Sequence, residues 1–302
     1  MQRVREQVGL FFGGDFRGGE GVTIAVLDTG IGYHADLAGK LLDFGDFVAG
    51  RRLAYDDNGH GTHVCGILCG SGALSDGRYR GMAPGARIVV GKVLDEKGGG
   101  SVEGMLAGLD WILRERERYR IRILNISVGI GSLEAAEKEE ALKEKLARLW
   151  ESGILVVCAA GNKGPGEGTI SGLGDSASVL TVGCHDGVFF QNRPGRCETY
   201  CGWGRQSDSP EKPDLVAPGT DIISCNVNCY RQGGRFRNAY IAKSGTSMAT
   251  PIVAGAAALA LQRWPDLTNE RCRQKLQFTA TDLGLPWNRQ GWGLLNVKRL
   301  LE

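Results

Sequence analysis

The chain has 302 residues, 42% of them hydrophobic, and its 36 Lys and Arg against 34 Asp and Glu leave a formal charge of +2. So balanced a charge excludes a polyanion-binding surface as the organising feature, and no nucleic-acid partner is expected. No stretch approaches the ~18 to 20 apolar residues of a membrane span, and residues 1–20 carry no apolar run of signal-peptide length, so no membrane partner is expected either.

In chain order, runs rich in Val and Ile recur at Val22–Leu27, Arg87–Leu94, Ile121–Val128, Ile154–Ala160 and Val179–Val182. Runs that are apolar on successive residues suit strands covered on both faces, as in a parallel sheet between helices. The Arg114–Arg122 run reads as a helix end entering the third of these strands. Leu133–Trp150 predicts an amphipathic helix, with Leu142, Leu146 and Leu149 at helical spacing. Its pairs Glu134/Lys138, Glu139/Lys143 and Glu144/Arg148 lie four apart with the acid first, which makes a solvated, self-paired face. Met248–Trp264, small and apolar throughout, suits a buried helix. No Pro- or Ser-rich linker and no internal repeat divides the chain. The expectation is an α/β fold, a mainly parallel central sheet flanked by helices, in one domain over 1–302 with 1–20 as an N-terminal segment.

Three short glycine-marked blocks carry chemistry: Val26-Leu27-Asp28-Thr29-Gly30, Asn58-Gly59-His60-Gly61-Thr62-His63 and Ser244-Gly245-Thr246-Ser247-Met248-Ala249-Thr250-Pro251. A serine hydroxyl is a poor nucleophile at neutral pH. It needs an imidazole to take its proton and a carboxylate to fix the tautomer and stabilise the imidazolium. Taken singly, Asp28 reads as a strand-end turn residue and His60 as a surface or core histidine. Together with Ser247 at the start of an apolar helix, where the helix dipole favours developing negative charge, they read as a nucleophilic hydrolase. The order Asp, His, Ser and the Gly-x-Ser-x-Ala context both differ from the α/β-hydrolase pattern of Ser, acid, His with a Gly-x-Ser-x-Gly elbow. Lipase-like chemistry is disfavoured.

With these residues the chain resembles the subtilisin-like serine proteases, the subtilases, from about Gly21 to Leu300, and most nearly their intracellular branch. The resemblance implies a three-layer subtilisin-like fold and a serine endopeptidase that acts through an acyl-enzyme on Ser247, with protein or peptide substrates. It makes Asp28 the orienting acid, His60 the general base and Asn162 the side-chain oxyanion donor. His63 matches a position that is not catalytic. Gly98, Gly99 and Gly100, with Ser127, Val128 and Gly129, resemble the two backbone segments that hold an extended peptide as an added strand. Ala159, Ala160 and Gly161 would wall the first specificity pocket and favour a large apolar or aromatic residue on the acyl side.

Departures from the family pattern are few. Ile252 replaces a histidine at a structural position, and only 27 residues precede Asp28, too few for an inhibitory prodomain of the usual size. The Gly70–Gly81 loop offers Asp76 as its one carboxylate, unlike the oxygen-rich loop of calcium-stabilised secreted relatives, so structural calcium is not evident there. No cofactor or catalytic metal is expected. Nine cysteines, odd and sparse, point to a reducing, cytoplasmic setting, or to secretion if a leader was removed. Cys197, Cys201, Cys225 and Cys229 could form a four-thiolate zinc site, disulfides or plain thiols, and Cys65 near His60 could meet thiol reagents. Two rival functions stand beside the protease: a silent peptide-binding pseudoprotease and a dinucleotide-binding oxidoreductase. The second rests on Gly30-x-Gly32-x-x-Ala35, which opens no amphipathic helix.

Overall fold

The structure, a computed structural model, describes residues 1–11, 18–128, 136–187, 196–205, 207 and 211–302. Its central sheet has seven strands: β1 (Thr23–Asp28), β2 (Leu41–Asp46), β3 (Arg87–Lys92), β4 (Ile121–Ile126), β5 (Leu155–Ala159), β6 (Leu180–Cys184) and β7 (Leu215–Ala217). Their spatial order is 2-3-1-4-5-6-7, with every pairing parallel. The helices are α1 (Gln2–Gln7), α2 (His60–Cys69), α3 (Val102–Tyr119), α4 (Ala136–Glu151), α5 (Thr246–Arg263), α6 (Asn269–Phe278), α7 (Trp287–Gln290) and α8 (Val297–Leu300).

The five apolar runs are five of these strands, each buried on both faces. In β1, Ile24 and Val26 point into a core shared with α2 and α5, while Ala25 and Leu27 point into a second core under α3 and α4. Alternation of side chains along a strand explains why a doubly covered strand must be apolar at every position. The edge strand β2, Leu-Leu-Asp-Phe-Gly-Asp, is only partly buried and carries no such run, and β7 is three residues long; neither was anticipated.

Leu142, Leu146 and Leu149 of α4 are fully buried as their spacing predicts, each contributing ~1.5–3 kcal/mol of burial free energy. The charged face is less self-contained than expected. Lys143 does pair with Glu139 at 2.6 Å, but Lys138 reaches Glu103 of α3 at 2.7 Å and Lys145 reaches Asp110 of α3 at 2.6 Å. Glu134 lies outside the described residues.

An antiparallel ribbon, also unanticipated, follows β7. Strand β8 (Ile222–Cys225) pairs with β11 (Tyr240–Lys243), and between them β9 (Tyr230–Gln232) pairs with β10 (Arg235–Arg237). Gly233 and Gly234 close the hairpin with φ of 56° and 77°, the left-handed pair that a tight two-residue turn requires. That Gly-Gly step was a readable hairpin signal.

Loop 70–81 leaves the end of α2 and returns to it, with Met82 N–H donating to the Ile67 carbonyl at 2.8 Å. The buried Arg5 guanidinium of α1 donates to the Arg80 carbonyl, and to the Gly77 carbonyl at 3.2 Å. Asp76 is exposed. Carbonyls that already accept from a guanidinium, beside one solvated carboxylate, do not fit a calcium ion.

Cys184 and Cys197 form a disulfide with Cα atoms 5.8 Å apart, so the plain-thiol reading fails for this pair. Cys197 is thereby excluded from a four-thiolate site with Cys201, Cys225 and Cys229, and no such gathering occurs among the described residues. Cys65 is fully buried, and burial pushes its thiol well above the usual range, so it is inert rather than reagent-accessible. After β1 the chain forms only a 3-10 turn at Ala35–Leu37, not the helix a dinucleotide loop needs.

Candidate active site

Asp28 ends β1 at zero exposure, and its Oδ1 lies 2.7 Å from His60 Nδ1. The same oxygen accepts the Thr29 N–H at 2.7 Å. Parallel strands deliver such residues to one edge of the sheet, which is where α/β sites form. Burial works against a charged His60, but the Asp28 charge and hydrogen bond outweigh it, and the imidazole pKa stands above its ordinary value. A carboxylate bonded to Nδ1 leaves Nε2 as the nitrogen that can accept a proton.

His60 is the first residue of α2, and the network that fixes this helix start was missed in the sequence. Asp56, buried, takes Thr29 Oγ1 at 2.8 Å and Gly59 N–H at 2.7 Å on Oδ1. Its Oδ2 takes Thr62 N–H at 2.8 Å and Thr62 Oγ1 at 2.6 Å. Burial disfavours its charge, yet these donors hold its pKa below the usual carboxylate value. A helix-start carboxylate just before Asn-Gly-His was the available signal. Gly61 is required here, because a Cβ would strike the Gly30 carbonyl and lie 3.2 Å from Asp28 Oδ1.

Lys92, fully buried at the end of β3, was also overlooked. Its ammonium donates to the Thr29 carbonyl at 2.8 Å, the Leu94 carbonyl at 2.7 Å and Asp57 Oδ1 at 2.6 Å. A buried ammonium with all three protons used ties the loop after Asp28 to the loop before His60. His63 is buried and held by the Ile222 and Ile241 carbonyls at 3.0 and 3.1 Å. Burial lowers its pKa to about 3, so it stays neutral and structural.

Ser247 is the second residue of α5, half-buried. Pro251, four residues on, has no N–H to give the Ser247 carbonyl. Helices α2 and α5 pack together, and a Cβ on Gly255, ten residues into α5, would lie 3.7 Å from the carbonyl of Leu68, nine residues into α2, so the two helix starts lie toward one end. No hydrogen bond joins His60 to Ser247 among the described residues; such contacts are often long without substrate and tighten on binding. Asn162 stands at the same point: its Oδ1 accepts from the Thr246 N–H and from Thr246 Oγ1, each at 3.1 Å. Thr246 Oγ1 also accepts the Gly161 N–H at 3.2 Å.

The expected peptide-holding segments divide. Gly98, Gly99 and Gly100 are exposed, in a loop closed by Asp95, whose Oδ1 accepts the Gly99 N–H at 2.8 Å. Ser127 and Val128 are buried, and Gly129 lies outside the described residues. Ala159 and Ala160 are buried while Gly161, at φ 96°, is half-buried. Ser171, not foreseen, backs this segment: its N–H donates to the Ala160 carbonyl at 2.8 Å and its hydroxyl to the Ala159 carbonyl at 3.0 Å.

Comparison with known proteins agrees with this geometry. The family described as Subtilase matches residues 19–293. Serine protease AprX of Bacillus subtilis (strain 168) is 40% identical over 269 residues, 86% of this chain and 61% of that protein. The chain thus spans less than two thirds of AprX. Subtilisin Savinase of Lederbergia lenta is 37% identical over 281 residues, covering 93% of this chain and 90% of that protein. Among solved structures, Sphericase matches with a TM-score of 0.81 at 27% identity, covering 98% of this chain and 99% of the other. A cold adapted subtilisin-like serine proteinase matches with a TM-score of 0.70 at 29% identity, covering 95% and 92%.

Proposed function

Because the chain belongs to the subtilase family, we propose that it is a serine endopeptidase whose nucleophile is Ser247, with His60 as base and Asp28 as its orienting acid. The observation that carries this reading is the 2.7 Å bond from His60 Nδ1 to a fully buried carboxylate, on a helix packed against the one that holds Ser247 in its first turn.

Ser247 Oγ forms a bond to the substrate carbonyl carbon as its proton passes to His60 Nε2. Charge then develops on the carbonyl oxygen, where Asn162 Nδ2 and the backbone N–H of Ser247 donate. The carbon–nitrogen bond breaks as His60 returns the proton to the departing amine. Water, deprotonated by His60, attacks the acyl-enzyme and frees Ser247. No cofactor or metal enters this chemistry.

The substrates are proteins or peptides laid along Gly98–Gly100 and Ser127–Gly129, with a large apolar or aromatic acyl-side residue beside Gly161. The two cores on opposite faces of one sheet support a single catalytic domain over 1–302. The Cys184–Cys197 bridge supports a setting in which disulfides persist, hence secretion over the cytoplasm. Among the described residues no helix is long and apolar enough to cross a membrane.

A fluorophosphonate probe tests the reading directly. Labelling should require Ser247: the Ser247→Ala variant should lose both label and peptide hydrolysis with an unchanged thermal melt. Labelling retained in that variant overturns the assignment.

A further inference from the structure

We propose that Lys243 and the hairpin arginines Arg231, Arg235 and Arg237 select acidic side chains on the leaving-group side of the cleaved bond. The inference deepens the peptidase reading and rests on it.

At its base the hairpin adjoins the residue before His60, and the strand that follows it leads into the start of α5. Its base residue Val227 packs on Gly59, the residue before His60; a Cβ added to Gly59 would lie 2.7 Å from Val227 Cγ1. The Asn226 N–H donates to the Ala239 carbonyl at 3.0 Å, which closes the base, and His34 Nε2 reaches the same carbonyl at 2.8 Å. At the other end β11 finishes at Lys243 and runs through Ser244, Gly245 and Thr246 directly into Ser247. Lys243 is near enough for its charge to oppose protonation of His60.

The side of the site follows from the chemistry. Gly161 and Asn162 mark the acyl half, and His60 hands its proton to the departing amine, so the departing chain passes the His60 half. Val227 and the hairpin adjoin that half.

Arg231, Arg235 and Arg237 are exposed. Among the described residues none of the four cations forms an ion pair, and Arg231 lies over the Phe236 ring at 6.0 Å. The register places Arg235 and Arg237 on one face of the hairpin and Arg231, opposite Phe236, on the other. Cations without a carboxylate partner, Arg235 and Arg237 on one face with Lys243 at the end of β11 and Arg231 on the other face, attract a carboxylate and repel an ammonium, an effect screened over a Debye length of roughly 8–10 Å.

The test uses internally quenched peptides identical on the acyl side, with Glu, Ala or Lys at the second and third leaving-side positions. At low ionic strength kcat/KM for Glu should exceed that for Lys by roughly three- to tenfold, shrinking in salt. Arg235→Glu/Arg237→Glu and, separately, Lys243→Glu should lower the Glu-to-Lys ratio. Binding of the same peptides to the Ser247→Ala variant, read by fluorescence anisotropy, gives the preference without turnover. Glu and Lys peptides that bind and react alike, or a ratio unmoved by both charge reversals, overturn the proposal. Loss of fluorophosphonate labelling alongside a Glu preference in binding would instead indict the catalytic assignment.

Discussion

Thr246 grips a single atom of Asn162: its backbone N–H and its hydroxyl both donate to Oδ1 at 3.1 Å. With Oδ1 engaged, Nδ2 is the group the amide offers to the site, and it makes no hydrogen bond of its own among the described residues. An amide oriented before substrate arrives costs no reorganisation when the oxyanion forms.

Asn162→Ala should therefore lower kcat by roughly 10² to 10³ with a smaller change in KM, since the donor acts on the transition state. Thr246→Val, which removes the hydroxyl donor to Oδ1 but keeps the backbone N–H, should lose less. Steady-state kinetics on both folded variants decides; an Asn162→Ala enzyme within about threefold of wild type, far short of that typical loss, would remove Asn162 from the oxyanion site.

Only neutral His60 can accept the Ser247 proton, so kcat/KM should rise as pH increases through the His60 pKa. The nearby Asp28 charge raises that pKa, so the midpoint should lie above the ordinary imidazole value. Asp28→Asn removes the charge, so the midpoint should move to lower pH while the rate falls by roughly 10⁴. A pH profile whose midpoint is unmoved in Asp28→Asn would show that another group titrates.

The parts of this candidate site that were legible in the sequence are those whose chemistry or glycine context is local, Asp28, His60 and Ser247, with the five doubly buried strands; Asn162 came from the family resemblance alone. The parts that were not depend on distant partners. Lys92 looks like a surface lysine until Thr29, Leu94 and Asp57 are seen to use its three protons. Asp56 looks like any acid in a polar run until Thr29 and Thr62 are seen to fold around it. The helix face of α4 was read as self-paired because intrahelical spacing is visible in sequence, whereas Glu103 and Asp110 of α3 are partners only in the fold. The Cys184–Cys197 pair was invisible for the same reason, because cysteine spacing alone does not fix connectivity.

Loop 70–81 should be indifferent to chelators, because Arg5 supplies the cation its carbonyls face. Thermal melts with and without excess EDTA should coincide for the wild type. Burial, with Arg80 nearby, lowers the Arg5 pKa to about 10, still protonated at neutral pH. Arg5→Met should cost about 1–3 kcal/mol, the penalty for leaving buried acceptors unmet, and lower Tm by several degrees. An EDTA-induced drop in the wild-type Tm that is lost in Asp76→Ala would show that a metal, not Arg5, holds the loop.

On the acyl side, the segment that ends at Gly161 presents no charge, and Ser171 behind it is small and already bonded to the Ala159 carbonyl. A Cβ on Gly161 would lie 3.2 Å from that of Ser171 and 3.4 Å from the Ser171 nitrogen, and φ is 96°, so the backbone itself requires glycine here. The next charged residue is Lys163, an exposed cation directly after Asn162. A large apolar or aromatic side chain can shed water here at no electrostatic cost. Lysine or arginine would bring an unpaired charge toward another cation. A peptide library cleaved by the enzyme should therefore be dominated by Phe, Tyr, Leu or Met at the acyl-side position. A library profile led by Lys or Arg would mean that the pocket is formed elsewhere.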